Sequence, residues 1–340
     1  MDTPLETMLS FGDEARGMVV LRGEDLAVLA EQCSYEDVAA RLWRDVVDDG
    51  IDQGALGQAR VRQFRALAPL APSLAGRDSA DAMRVLLAAS RVDSPVDLVA
   101  AVGLAAACAI RGASGQTWRE PDAASGHAAD LLAIATGTRP DDRIARALER
   151  YMILMIDHGI SASTYAARIA ASTGAGLLPV ALAALAVLEG PKHGGAPALV
   201  LDQLDRIGSA ASVPAYVAQE RAAGRRLMGF GSRAYAGTDL RGAMMRREWE
   251  AIGGAAGHRG EAVAIEAEIE AELAKGGKPL RANVEYYASL LLEACGLPRA
   301  GFTPFFAAAR APGWVAHAAE QRATGRMIRP SSRYVGAVPQ

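Results

Sequence analysis

Two stretches of this 340-residue chain carry no charged or strongly polar side chain: residues 98–110 (LVAAVGLAAACAI) and 177–188 (LLPVALAALAVL). Each is shorter than the roughly 18 residues a helix needs to span a bilayer. They must therefore be enclosed by the rest of the protein. Alanine dominates both runs and recurs along the chain, β-branched clusters are few, and only 5% of residues are aromatic. Alanine is the strongest helix former and lets helix axes approach closely, so the expected fold class is all-α. A hydrophobic share of 51% over this length is ample for one large domain or two smaller ones.

The formal net charge of −3 argues against a nucleic-acid-binding surface. Cys33, Cys108 and Cys295 lie far apart without CxxC spacing, which argues against a disulfide framework or a zinc site and predicts reduced core thiols. The first dozen residues carry acids and no basic stretch ahead of an apolar one, so no signal peptide is expected and the expected location is cytoplasmic, with no membrane partner.

Helix entrances are marked along the chain. Met18-Val19-Val20-Leu21 reads as a short strand, and Ser34-Tyr35-Glu36-Asp37 as a helix start with a hydroxyl cap and an acid three residues on. Ser94-Pro95-Val96-Asp97 opens a helix that runs to Ile110 and stops at Arg111-Gly112. Another opens at Arg139-Pro140-Asp141-Asp142, with Ile144, Leu148, Tyr151, Met152 and Met155 on one face, and delivers Asp157-His158-Gly159 to its end.

The sharpest break is Gly190-Pro191-Lys192-His193-Gly194-Gly195-Ala196, where glycine and proline on both sides of His193 prevent helix or strand from continuing. Such a turn brings backbone or side chain close to something. Residues 225–235 are dense in glycine and arginine and contain a loose GxGxxA, but no βαβ rhythm surrounds it, so a Rossmann reading is weak. Flanked by Arg225, Arg226, Arg233 and Arg241, this loop suits a phosphorylated or carboxylated ligand, although a solvated basic loop reads the same way. Asn283-Val284-Glu285 opens a further helix and places an acid in its first turn. His158, His193, Glu285 and several arginines thus all stand at helix breaks.

Together, Asp157-His158-Gly159-Ile160-Ser161-Ala162-Ser163-Thr164, the His193 turn, Leu227-Met228-Gly229-Phe230-Gly231, Asn283-Val284-Glu285-Tyr286-Tyr287 and residues 306–314 resemble the citrate synthase family, including methylcitrate synthases. The resemblance spans nearly the whole chain. It implies a homodimer whose large helical domain (1–195 plus 302–340) carries a smaller mobile helical domain (196–301). It also implies a Claisen-type condensation of an acyl-CoA with a 2-oxo acid, followed by thioester hydrolysis, with coenzyme A thioester as substrate and no metal. By position, His193 would bond the thioester oxygen. His158, Arg241 and Arg310 would hold the dicarboxylate, and Arg329 would reach the neighbouring subunit's site. Leu227, Met228, Gly229 and Gly231, with Asn283, would hold the coenzyme A adenine. The chemistry agrees: deprotonation beside a thioester needs a carboxylate base and a donor aimed at the oxyanion, and an oxo-diacid favours arginine forks.

Two catalytic positions depart from the family. Ser232 stands where it has a histidine that donates to the ketone, a loss worth about 2.7–4 kcal/mol. Glu285 stands where it has an aspartate base, and the added methylene moves the carboxylate by roughly 1 Å, a shift that can cost about 10²-fold. Either the enzyme condenses an acyl-CoA with a different, bulkier acceptor, or it has become a ligand-binding or regulatory relative. A retro-reaction of the citryl-CoA lyase type would use the same groups.

Overall fold

The computed structural model describes residues 5–13, 16–231, 239–277 and 279–337 of the chain. Its regular structure is almost all helix. A three-stranded antiparallel sheet, β1 (Ser10–Asp13), β2 (Met18–Leu21) and β3 (Glu24–Asp25), precedes the helices, with Ser10 paired to Leu21 and Val20 to Asp25.

The first ten helices are α1 (Leu26–Gln32), α2 (Tyr35–Trp43), α3 (Gln53–Leu67), α4 (Ala71–Leu74), α5 (Ser79–Ala89), α6 (Pro95–Ala113), α7 (His127–Thr136), α8 (Asp142–Met155), α9 (Ala162–Ser172) and α10 (Leu177–Leu188). After the His193 turn come α11 (Ala196–Ile207), α12 (Val213–Ala222), α13 (Leu240–Ala251), α14 (Ala262–Lys275) and α15 (Val284–Ala294), and the long α16 (Phe302–Ala323) closes the series. The expected caps are in place. Ser34 and Asp37 form a reciprocal capping box on α2, and the Ser94 hydroxyl accepts from the Asp97 amide under Pro95.

The apolar run at 98–110 becomes the centre of α6, packed by α3, α5, α7 and α16. Its helix does not stop at Arg111 but continues to Ala113, giving 19 residues, long and apolar enough to cross a membrane. Yet 89% of that window is buried inside the fold, so it is the core helix of the protein. The extension has local causes: the Arg111 guanidinium folds back onto the Thr117 carbonyl, and Trp118 packs so close to Gly112 that a Cβ there would meet its ring nitrogen at 3.0 Å.

Helices α11 to α15 pack largely among themselves, α13 on α15 and α12 on α14. They meet the earlier helices chiefly where α13 and α15 lie against α8 and α13 touches α1. Arg150 of α8 pairs with Glu248 of α13 at 2.7 Å across this contact, and Arg247 with Glu31 at 2.8 Å. The C-terminal end of α8, which leads to His158, and the N-terminal end of α13, which bears Arg241, are thereby brought to one place.

Candidate active site

The His193 turn is built from backbone bonds. The Gly194 amide donates to the Leu188 carbonyl at 2.8 Å, the His193 amide to Gly190 at 2.9 Å, and the Thr303 hydroxyl of α16 to the Gly194 carbonyl at 2.8 Å. A Cβ on Gly194 would lie 2.8 Å from that Leu188 carbonyl oxygen, so only glycine permits the approach. The turn presents His193 edge-on to Phe306, with ring centroids 5.9 Å apart.

On its other side, Nε2 of His193 faces the start of α9, 2.9 Å from the Ser163 hydroxyl and 3.4 Å from the Ser163 amide. A backbone N–H can only donate, so Nε2 is the acceptor and the ring hydrogen sits on Nδ1. Burial, reinforced by the Arg310 charge, lowers the imidazole to about 4 and keeps it neutral. His193 is therefore a fixed, neutral donor through Nδ1.

His158 follows α8 in a turn that needs Gly159 at φ +81°. Its Nδ1 is buried without a hydrogen-bond partner among the described residues. Burial, with the Arg241 and Arg310 charges, holds it well below the usual histidine range. Arg310 on α16 is completely buried; its Nε donates to the Met155 carbonyl at 2.6 Å, it lies 5.0 Å over the Phe306 ring, and its Nη2 has no partner among the described residues. Burial brings it down to about 10, with Asp157 opposing and Arg241 adding to the fall. Leaving a buried donor unpaired costs about 1–3 kcal/mol. His158 Nδ1 and Arg310 Nη2 are thus both buried polar atoms available to a ligand.

Arg241 at the start of α13 is also buried and is held by Asp239, which accepts from Nε at 3.1 Å and Nη2 at 2.8 Å and caps the helix by accepting from the Arg241 amide. Glu285, in the first turn of α15, lies within the fields of Arg241 and Arg226, yet burial outweighs both and pushes its carboxyl up to about 7. Glu285 and His158 both lie within the field of Arg241, and His158 and His193 within that of Arg310. Ser232 falls outside the described residues. Arg329 stands apart: it is exposed on the tail after α16, in a groove shared with Tyr165, Arg168 and Arg326.

The loop at 227–231 is stitched to the start of α15. Asn283 donates from Nδ2 to the Gly231 carbonyl at 2.9 Å, its amide donates to the Gly229 carbonyl at 2.9 Å, and its Oδ1 caps α15 by accepting from the Glu285 amide. Gln203 brackets Met228 with a reciprocal pair. Gly229 and Gly231 both take positive φ, and a Cβ on Gly229 would press on Val200 and Tyr286 at 3.1–3.2 Å. Beside Leu227 and Gly231 opens a cavity of about 350 Å³ walled by Glu220, Arg221, Arg225, Arg226 and Leu280, with Arg225 paired to Glu220 at 2.7 Å. The same short segment, 283–285, thus ties the 227–231 loop to the first turn of α15, which bears Glu285.

Sequence reasoning did not single out Ser163, Asp239 or Ser10 for any role. Ser163 and Asp239 carried a signal, since each sits a few residues from a proposed site residue at a helix start. Ser10 carried none, because its partners lie about 150 residues away. Among the described residues no cluster of three or more His, Cys, Asp and Glu is placed to hold a metal.

The family described as Citrate synthase, C-terminal domain, matches residues 3–331. Citrate synthase of Haloferax volcanii is 32% identical over 357 residues, covering 97% of this chain and 93% of its own. Citrate synthase of Mycolicibacterium smegmatis is 31% identical, covering 93% of this chain and 88% of its own. The crystal structure of citrate synthase from Thermotoga maritima superposes with a TM-score of 0.87 at 27% identity, over 100% of this chain and 95% of that one.

Proposed function

Because this chain belongs to the citrate synthase family, we propose that it is an acyltransferase joining the α-carbon of an acyl-CoA, acetyl- or propionyl-CoA, to the ketone carbon of a 2-oxo acid. The Glu285 carboxylate takes the α-proton while His193 Nδ1 donates to the thioester oxygen, so that the enol forms between a base and a fixed donor. Arg310, Arg241 and His158 hold the carboxylates of the acceptor. The enol carbon then attacks the ketone, the proton taken from the α-carbon ends on the ketone oxygen, and water cleaves the thioester, its hydroxyl going to the acyl carbon and its hydrogen to the departing thiol. The basic cavity beside 227–231 and Asn283 takes the nucleotide end of coenzyme A.

The observation that carries this reading is the pair of buried, unpartnered atoms, His158 Nδ1 and Arg310 Nη2, beside a neutral imidazole. A serine at 232 supports an acceptor other than that of an ordinary family member, since it is smaller and reaches less far toward the ketone than the family's histidine. We also propose a cytoplasmic homodimer in which residues 196–301 close over the rest and Arg329 completes the partner's site.

Thiol release from acetyl- and propionyl-CoA against a panel of 2-oxo acids tests the reaction. Release with one acceptor, lost in Glu285→Gln, is the expected result. No release with any acceptor, while coenzyme A still binds, would leave a ligand-binding relative instead.

A further inference from the structure

Behind His158 lies a polar cluster that the proposed chemistry does not use. Asp157, Ser10 and His317 are all buried, the first and last with no exposed surface. Oδ2 of Asp157 accepts from the Ser10 hydroxyl and, at 3.1 Å, from Nε2 of His317. The tautomer is fixed, because Nδ1 of His317 lies 3.1 Å from a guanidinium nitrogen of Arg168, which can only donate. Ser10 Oγ in turn accepts from the Gly159 amide at 2.6 Å, so one hydroxyl joins the Asp157 carboxylate to the backbone on the far side of His158. Burial would raise Asp157, but the hydrogen bonds from His317 and the Ser10 hydroxyl and the Arg310 charge lower it, so it is an anion beneath the site. Its Oδ1 has no hydrogen-bond partner among the described residues and is backed by Gly313, where a Cβ would lie 2.9 Å away.

We propose that Asp157, held by Ser10 and His317, is the positioning residue of the acceptor half of the site: it fixes the turn that presents His158. This rests on the assignment of His158 and Arg310 to the 2-oxo acid. It makes strand β1, far away in sequence, part of the acceptor site, and it assigns the coenzyme A half no share in the cluster. Charged groups buried in such a network depend on each partner for both position and charge.

The test compares Ser10→Ala and Ser10→Thr with the unaltered protein, measuring oxaloacetate and coenzyme A binding by calorimetry and backbone amide exchange by mass spectrometry. Loss of the hydroxyl should weaken oxaloacetate binding roughly tenfold and leave coenzyme A binding in place. Amide exchange should rise at 157–161 but not in α6, and threonine should restore most of both. Equal weakening of both ligands, or no change in either oxaloacetate binding or exchange at 157–161, would overturn the proposal. If the unaltered protein binds neither oxaloacetate nor any other 2-oxo acid of the panel, the acceptor assignment fails. Local exchange then decides the positioning alone: a rise confined to 157–161 upholds it, and none refutes it.

Discussion

At Glu285, burial raises the carboxyl to about 7 against the pull of Arg241 and Arg226, so near neutral pH the side chain divides between acid and carboxylate. Only the carboxylate can take a proton, whereas His193, at about 4, stays a neutral donor throughout. Proton abstraction should therefore climb with pH through about 7 and level off above it, measured as an exchange-rate profile. The same shift has a consequence for stability. In the unfolded chain a glutamate titrates near about 4.3, so between there and about 7 the native state binds more protons and loses stability as pH rises. Glu285→Gln should accordingly melt higher than the unaltered protein at pH 8 and equally at pH 4, measured by calorimetry, while slowing proton abstraction on the order of 10²- to 10⁴-fold. These residues were legible in the sequence because each stands at a break between helices, beside glycine, proline or a capping side chain. Ser10 and His317 were not, since their partner Asp157 lies 147 and 160 residues away and nothing local records the contact.

The elements owe their ends to local chemistry and their depth to packing. Caps such as Ser34, Ser94, Asp141 and Asn283 act within three residues, which is why the starts of α2, α6, α8 and α15 could be read directly. The end of α6 could not, because Arg111 and Gly112 look like a stop until the Thr117–Trp118 segment folds over them. The turn at 190–196 is the most exacting piece. Gly194→Ala would press a methyl group to 2.8 Å from the Leu188 carbonyl oxygen and 2.9 Å from the Leu188 side chain. The turn would have to shift, and a displacement of about 1 Å at His193 should slow enolisation on the order of 10²-fold. Binding at the 227–231 loop, which is held by Gln203 of α11 and by Asn283 and not by the turn itself, should be kept; calorimetry with coenzyme A beside the exchange rate reads both.

Across the whole molecule, the proposed site is shared between two sets of helices. His158, His193 and Arg310 come from the turn after α8, the turn before α11, and α16; Arg241 and Glu285 come from α13 and α15. The Arg150–Glu248 pair sets the approach of α8 to α13, with Glu248 only 7% exposed at its side chain. Glu248→Gln leaves Arg150 half-buried opposite a neutral amide and should raise KM for both substrates together, in contrast to the one-sided effect expected at Ser10. Arg329 lies outside this group within its own chain, as a residue serving a partner's site would. If it does, mixing subunits of Arg329→Ala with subunits of Glu285→Gln should restore activity, because one site of each mixed dimer then carries neither change. Mixtures as inactive as their parents would place Arg329 elsewhere. Whole-chain architecture was legible through the family resemblance, whereas the division of the site between helix sets depends on long-range packing that composition and periodicity do not encode.

The most direct measurement is deuterium uptake at the α-carbon of acetyl- or propionyl-CoA in heavy water, with a four-carbon dicarboxylate lacking the ketone filling the acceptor half. Glu285 and His193 acting together predict uptake by the unaltered protein and its loss in both Glu285→Gln and His193→Ala. An unaltered protein that binds the thioester yet exchanges no proton, or a Glu285→Gln variant that exchanges at full rate, would contradict it.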